Sequence, residues 1–152
     1  VTTVLPVKQA LVTLGGDTFD DTVRTMFSGR IVVDADADRL LIGDATGTFE
    51  PESLGPTRTV EELYDVACIV SVTKNGDADY QPIVTARAIE LFEGFENAVR
   101  SYPGQNLGVT GVLWAGVLGN WSLTEHPASD TGGKISTSFA FNVRVKAMTR
   151  LA

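Results

Sequence analysis

The chain holds one cysteine, Cys68, and one histidine, His126, in 152 residues. A single thiol forms no internal disulfide, and one thiol with one imidazole is too small a set of soft ligands for a structural zinc site. Basic residues are scarce as well: 12 Lys and Arg stand against 19 Asp and Glu, a formal charge of -7. Tight binding to a nucleic-acid backbone rests on clustered Lys and Arg that release counterions, so DNA is not expected as a tightly held partner. No apolar run approaches the ~20 residues that span a bilayer, and no basic segment followed by an apolar block opens the sequence. Neither a membrane association nor a secretory signal is therefore expected. What the chain does have is 43% apolar against 20% charged residues, enough to bury a core, and a length that suits one domain over 1–152.

Leu5-Pro6 followed by Val7, Ala10, Leu11 and Leu14 puts apolar residues at helical spacing, with Pro6 suited to a first turn. Gly15-Gly16 reads as the stop of this short helix, which at about three turns must dock on something to persist. In 17–29, Phe19, Val23, Met26 and Phe27 recur at i, i+4, i+7 and i+8 and predict a second helical piece. Ile31-Val32-Val33 and Leu40-Leu41-Ile42, separated by Asp34-Ala35-Asp36-Ala37-Asp38, fit either one bent strand or a hairpin. Residues 43–59, rich in Gly, Pro, Thr and acids without a period, read as a long loop. Tyr64, Val66, Cys68, Val70 and Val72 alternate with less apolar residues as one face of a strand, which Lys74-Asn75-Gly76-Asp77 ends.

The clearest helix runs from about Gln81 to Tyr102. Val84, Ala88, Leu91, Phe92, Phe95, Val99 and Tyr102 make its apolar stripe, and Pro103-Gly104 closes it. A Gly-interrupted β region follows from Val109 to Glu125, then a polar turn from His126 to Gly133. A long strand from Ile135 to about Thr149 has Ile135, Phe139, Phe141, Val143, Val145 and Ala147 on one face. The expected class is α+β: a mostly antiparallel β-sheet with one long amphipathic helix packed across it and a short N-terminal helix.

Candidate chemistry is thin. Asp34, Asp36 and Asp38 suggest a calcium loop, but an EF-hand counted from Asp34 needs Gly at its sixth position and Glu at its twelfth, where Arg39 and Ala45 stand. Solvated surface carboxylates are the simpler reading. His126 has a suitable titration range for a general base. Ser122, Glu125, Ser129 and Asp130 lie near it in sequence, yet they surround a turn and match no nucleophile motif. Cys68 sits mid-strand on an apolar face, where burial makes a thiol inert. Gly111, Gly116 and Gly119 lack the spacing of a phosphate cradle. No catalytic, cofactor-binding or metal-binding residue is assigned, no cofactor is expected, and the chain is not read as an enzyme. Trp114 and Trp121 fall on opposite sides of an unbroken strand, so one of them would face a partner, whereas a bulge at Gly116 or Gly119 would return both to the core.

The order of these segments carries a resemblance. Leu41-Ile42-Gly43-Asp44, then Ser53-Leu54-Gly55, then Arg58 with Glu61-Glu62-Leu63-Tyr64 opening a strand, then the amphipathic helix and Phe141-Asn142-Val143-Arg144-Val145-Lys146-Ala147, resembles the tail terminator proteins of long-tailed bacteriophages, especially those of actinobacterial hosts. The resemblance implies a structural virion protein made in the host cytoplasm. It would form a ring of identical subunits, commonly a hexamer, at the head-proximal end of the tail tube. Its partners would be itself, the tail tube protein and the head-tail connector of the neck. DNA would only pass through the channel, and acidic clusters such as Asp17, Asp20 and Asp21 or Asp34, Asp36 and Asp38 would keep it from adhering.

Two variants stand beside this expectation: another ring of the same stack, either a connector or the tube protein itself, and a small-molecule-binding module with the helix folded over a curved sheet. An enzyme built on His126 is a third, for which the sequence names no turnover.

Overall fold

The computed structural model describes residues 2–19, 23–27, 38–51, 59–76, 78–127 and 134–150. Their elements are α1 (Val4–Phe19), β1 (Val23–Phe27), β2 (Asp38–Pro51), β3 (Thr59–Asn75), α2 (Gln81–Arg100), β4 (Val112–Val117), β5 (Ser122–His126) and β6 (Lys134–Arg150). The class is the expected α+β. One six-stranded sheet runs β1-β2-β3-β6, with β4 and β5 both on the far side of β6. Every pairing is antiparallel except β1 with β2.

The two long strands form the centre. β3 and β6 pair without interruption from Thr59↔Arg150 to Asn75↔Lys134. The alternation read in each strand places Tyr64, Val66, Cys68, Val70 and Val72 beside Phe139, Phe141, Val143, Val145 and Ala147 on one buried face. α2 lays Val84, Ala88, Leu91, Phe95 and Val99 onto that face, close to the stripe expected of it. One polar group there is accounted for by name. Thr137 is buried, and its hydroxyl meets Gln81 Nε2 at 2.9 Å and Thr85 Oγ1 at 2.9 Å, which pins the first turns of α2 over β6.

α1 differs from its expected length. It continues through Gly15-Gly16 to Phe19, burying Val7, Leu11 and Gly15 at successive i+4 positions. Gly15 is a point of close approach and not a stop: a Cβ there would lie 2.7 Å from the Thr25 side chain and 2.9 Å from Leu40 Cδ2. The N-terminus of α1 is tied to β3 by a buried carboxylate. Glu62, 1% exposed, accepts the Thr3 backbone N–H at 2.9 Å and the Thr2 hydroxyl at 2.8 Å, while Thr3 Oγ1 and Tyr64 Oη share a hydrogen bond of 2.9 Å. An acid at this end of a helix complements the positive end of its dipole.

Three further segments differ from the form their sequence suggests. Residues 23–27 are a strand, because Val23, Thr25 and Phe27 also satisfy a period of two and β2 offers them an edge along Asp38–Ile42. Residues 43–51 belong to β2 and not to a loop; residues 52–58 lie outside the described residues. The register shifts between Ile42 and Ala45, so Gly43-Asp44 forms a bulge that inverts which residues face the core and hides the strand period. Asp38 is not solvated surface: it receives Arg87 Nε at 3.1 Å and is largely covered. Ile31–Val33, Asp34 and Asp36 lie outside the described residues.

Neighbouring glycines of α1 should respond with opposite sign. Gly15→Ala should destabilise by about 1–3 kcal/mol through the clash with Thr25 and Leu40. Gly16→Ala, with nothing within 4 Å of the added methyl, should stabilise by roughly 0.5–1 kcal/mol. Urea denaturation midpoints of both variants check this. Glu62→Ala should cost about 2 kcal/mol by orphaning the Thr3 N–H, and Glu62→Gln, which keeps an acceptor, should cost less.

Candidate functional site

β4 and β5 behave as one edge strand with an interruption. β4 pairs with Val143–Ala147 and β5 with Ser136–Ala140, and residues 118–121 leave the ladder between them. Gly119 permits the detour, since its φ of 87° lies in the left-handed region. The link is held by the Leu118 N–H donated to the Asn142 carbonyl at 3.3 Å and by the Asn142 amide donated to the Asn120 carbonyl at 3.5 Å.

With no strand rung beside Phe141, the helix-side face of β6 is open at this edge. A groove of about 500 Å³ lies between the link and the outer flank of α2. Ile89 and Phe92 form one wall, Leu118 and Trp121 the other, and Phe139 and Phe141 the floor. The rings are ordered against one another: Phe92 stacks on Phe139 at 4.2 Å, Trp121 stacks on Phe139 at 5.4 Å, and Phe92 meets Phe141 edge-on at 4.9 Å. Trp121 nevertheless remains 66% exposed, and Leu118 and Ile89 are exposed beside it. Glu93 and Glu96 make the rim on α2. Glu96 is paired with Arg100 at 3.3 Å, whereas Glu93 has no ion pair among the described residues.

A surface of this kind is suited to docking. Its floor offers no nucleophile or acid-base pair, and its exposed indole and aliphatic groups gain about 25 cal/mol for each Å² withdrawn from water. Buried aromatic anchors within a polar rim are the usual energetic centre of a protein interface.

The tryptophans settle on opposite sides of the sheet although the strand is interrupted between them, and neither is buried in the core. Trp114 is half-buried on the open sheet face opposite Lys146, past a register shift between Val112 and Trp114. Trp121 lies on the helix side. That it stacks on Phe139 was not readable from residue spacing; Leu118-Gly119-Asn120, a turn signal inside a strand region, is the local cue.

The remaining candidates are dispersed. His126 ends β5 on the open face, at a shallow hollow shared with Arg39, Thr124 and Ser138. Cys68 is buried on the opposite, helix-side face of β3. Glu125 is engaged by the Thr85 hydroxyl at 2.7 Å, and Ser122 is exposed on the open face. Ser129 and Asp130 lie outside the described residues. Among the described residues no three His, Cys, Asp or Glu side chains converge as a metal-ligand group. Among them, too, no helix is long and apolar enough to cross a membrane.

The open face mixes polar residues with exposed Leu63 and Ile69 across β3 and β6. Arg144 donates to Asp65, its directly opposed neighbour, at 2.9 Å, and Lys146 lies 3.4 Å from Glu61. The hydrogen bond from Arg144 to Asp65 holds the guanidinium above its ordinary range. Of the acidic clusters expected near a channel, Asp17 is exposed in the last turn of α1; Asp20 and Asp21 lie outside the described residues.

No protein-family model matches the chain, and no curated protein sequence matches it.

Burial pushes the Cys68 thiol and the Tyr64 phenol up to about 12, against ordinary values of 9.0 and 10.0; the Thr3 hydrogen bond and Lys8 oppose the two shifts without reversing them. Both groups are therefore neutral in the native chain where their unfolded counterparts ionise. The stability this represents should be complete below about pH 9 and be lost as pH rises towards 12. Denaturation midpoints between pH 8 and 11.5 should fall with pH on this account, roughly along the titration of the two groups. Cys68 should also resist a thiol reagent at pH 8 and react on unfolding.

Proposed function

We propose that the chain is a structural subunit of a bacteriophage tail: a tail terminator that assembles as a ring at the head-proximal end of the tube, stops its growth and joins it to the neck. The observation that carries the assembly role is the aromatic groove at the interrupted β4–β5 edge, an exposed surface with interface composition and no reactive group in its floor. The sheet supports it by presenting a different edge at each end among the described residues, β1 on one side and β4 with β5 on the other, and heterologous contacts join two different surfaces. The phage assignment rests on the succession from Leu41-Ile42-Gly43-Asp44 to the β6 run Phe141–Ala147, which spans most of the chain.

On this reading the ring is commonly a hexamer, DNA crosses its bore without being bound, and the mature location is the virion. Phage tails assembled without the protein should be overlong or lack an end ring in negative-stain images, and adding it back should restore uniform length. Tails of normal length and intact ends in its absence would overturn the reading. Open-ended polymerisation of the purified chain would assign it to the tube itself.

A further inference from the structure

Two of the exposed apolar patches among the described residues of the helix layer lie at opposite edges of the sheet. One is the groove of Ile89, Leu118 and Trp121 beside α2 and the β4–β5 link. The other is formed where α1 overlies β1. There Leu5 is 58% exposed and Phe27 45% exposed, and Lys8 Nζ stands 5.4 Å from the centre of the Phe27 ring. Leu5 and Lys8, three residues apart on α1, share a face. Phe27 falls on the same side of β1 as Val23 and Thr25, the side that α1 covers.

The two patches are complementary in charge. The groove has an exposed carboxylate, Glu93, without an ion pair among the described residues, and the α1–β1 edge has an ammonium, Lys8, likewise without a carboxylate partner among them. Asp17, the exposed acid on α1, is nine residues further along the helix, about 13 Å from Lys8. The patches are also complementary in layer. Within one chain α1 already packs beside α2, with Phe19 against Gly94. The groove lies on the other flank of α2, so an α1 from a second copy placed there would extend the same helical layer.

We propose that the occupant of the groove is a second copy of this chain, whose Leu5, Lys8 and Phe27 edge seats against Trp121 with Lys8 facing Glu93. The inference rests on the reading of the chain as a self-assembling subunit and gives that reading its contact. The arrangement is head-to-tail: each copy offers a groove to one neighbour and an α1–β1 edge to the other, so the contact repeats from copy to copy and makes a ring where its rotation closes. Because every copy carries a net charge of -7, a local opposite-charge pair is needed at the point of approach.

Charge reversal in the full-length chain tests the contact by sedimentation. Lys8→Glu and Glu93→Lys should each weaken association at least roughly tenfold. The double variant Lys8→Glu with Glu93→Lys should recover it, and so should an equimolar mixture of the two single variants. Circular dichroism of the monomers controls for folding. A second arm introduces Lys8→Cys and Glu93→Cys together; oxidation should give a ladder of multimers, while either single cysteine should not couple copies to one another. Single reversals that assemble like the unaltered chain, or a double variant that recovers nothing, would overturn the proposal. An unaltered chain that stays monomeric, together with a double-cysteine variant that forms no ladder, would overturn it too, the groove then serving another protein or a small molecule. Tail-length complementation separates the two claims: reversals that abolish self-association yet still cap tails defeat the contact alone, and a chain that forms the ladder but leaves tails uncapped defeats the terminator reading alone.

Discussion

The ladder between β3 and β6 is the constraint on which the rest of the molecule depends. Both strands are long, both alternate apolar and polar residues, and they stay in register over their whole length. A slip of one residue would turn every apolar side chain of one strand to the wrong face, so the register is enforced by burial as much as by hydrogen bonds. β2 then extends β3, and β4 and β5 extend β6, while α2 covers the face the two share. The two ties that fix the helices are also anchored on this pair, Glu62 of β3 for the start of α1 and Thr137 of β6 for the start of α2.

How much of this was legible follows from how local each signal is. β3, β6 and α2 carry long periodic patterns and could be read with their faces. α1 could be found but not measured, because a glycine pair that ends many helices here lets one approach Thr25 and Leu40 closely. β1 was misassigned because five residues satisfy both periods at once, and only the edge of β2 decides between them. The far half of β2 looked like a loop because its bulge at Gly43-Asp44 inverts the alternation and its residues are small or polar. The groove is the least legible feature. Phe92, Trp121 and Phe139 were each noticed, one as part of a buried stripe, one as a possible interface residue and one as core. Their meeting depends on an interruption in a strand that pairs with a partner distant in sequence.

That interruption sets apart the two edges of the sheet. At the β1 edge a helix packs over the strand and brings a basic residue beside it. At the β4–β5 edge the strand breaks and leaves a hollow with an acidic rim. Edge strands invite unwanted pairing with other chains, and both margins reduce the length of plain strand on offer. Exposed apolar residues occur on both faces, Trp121 and Ile89 on the helix layer and Leu63 and Ile69 on the other, and the latter face is laced by Arg144–Asp65 and Lys146–Glu61. The two faces of one sheet thus have different chemical characters: one holds the fold and its apolar margins, the other carries ion pairs between scattered apolar side chains.

The uninterrupted β3–β6 pair has a mechanical meaning as well. At about 3.3 Å per residue it is a plank of roughly 55 Å. Its hydrogen bonds run across the strands, so tension along the plank must slide one strand past the other and loads all the rungs together. Tension across it would peel the rungs singly, beginning at an end. The subunit is therefore stiff along one axis and yielding along another, and the direction in which neighbours pull on it decides which of these properties it shows.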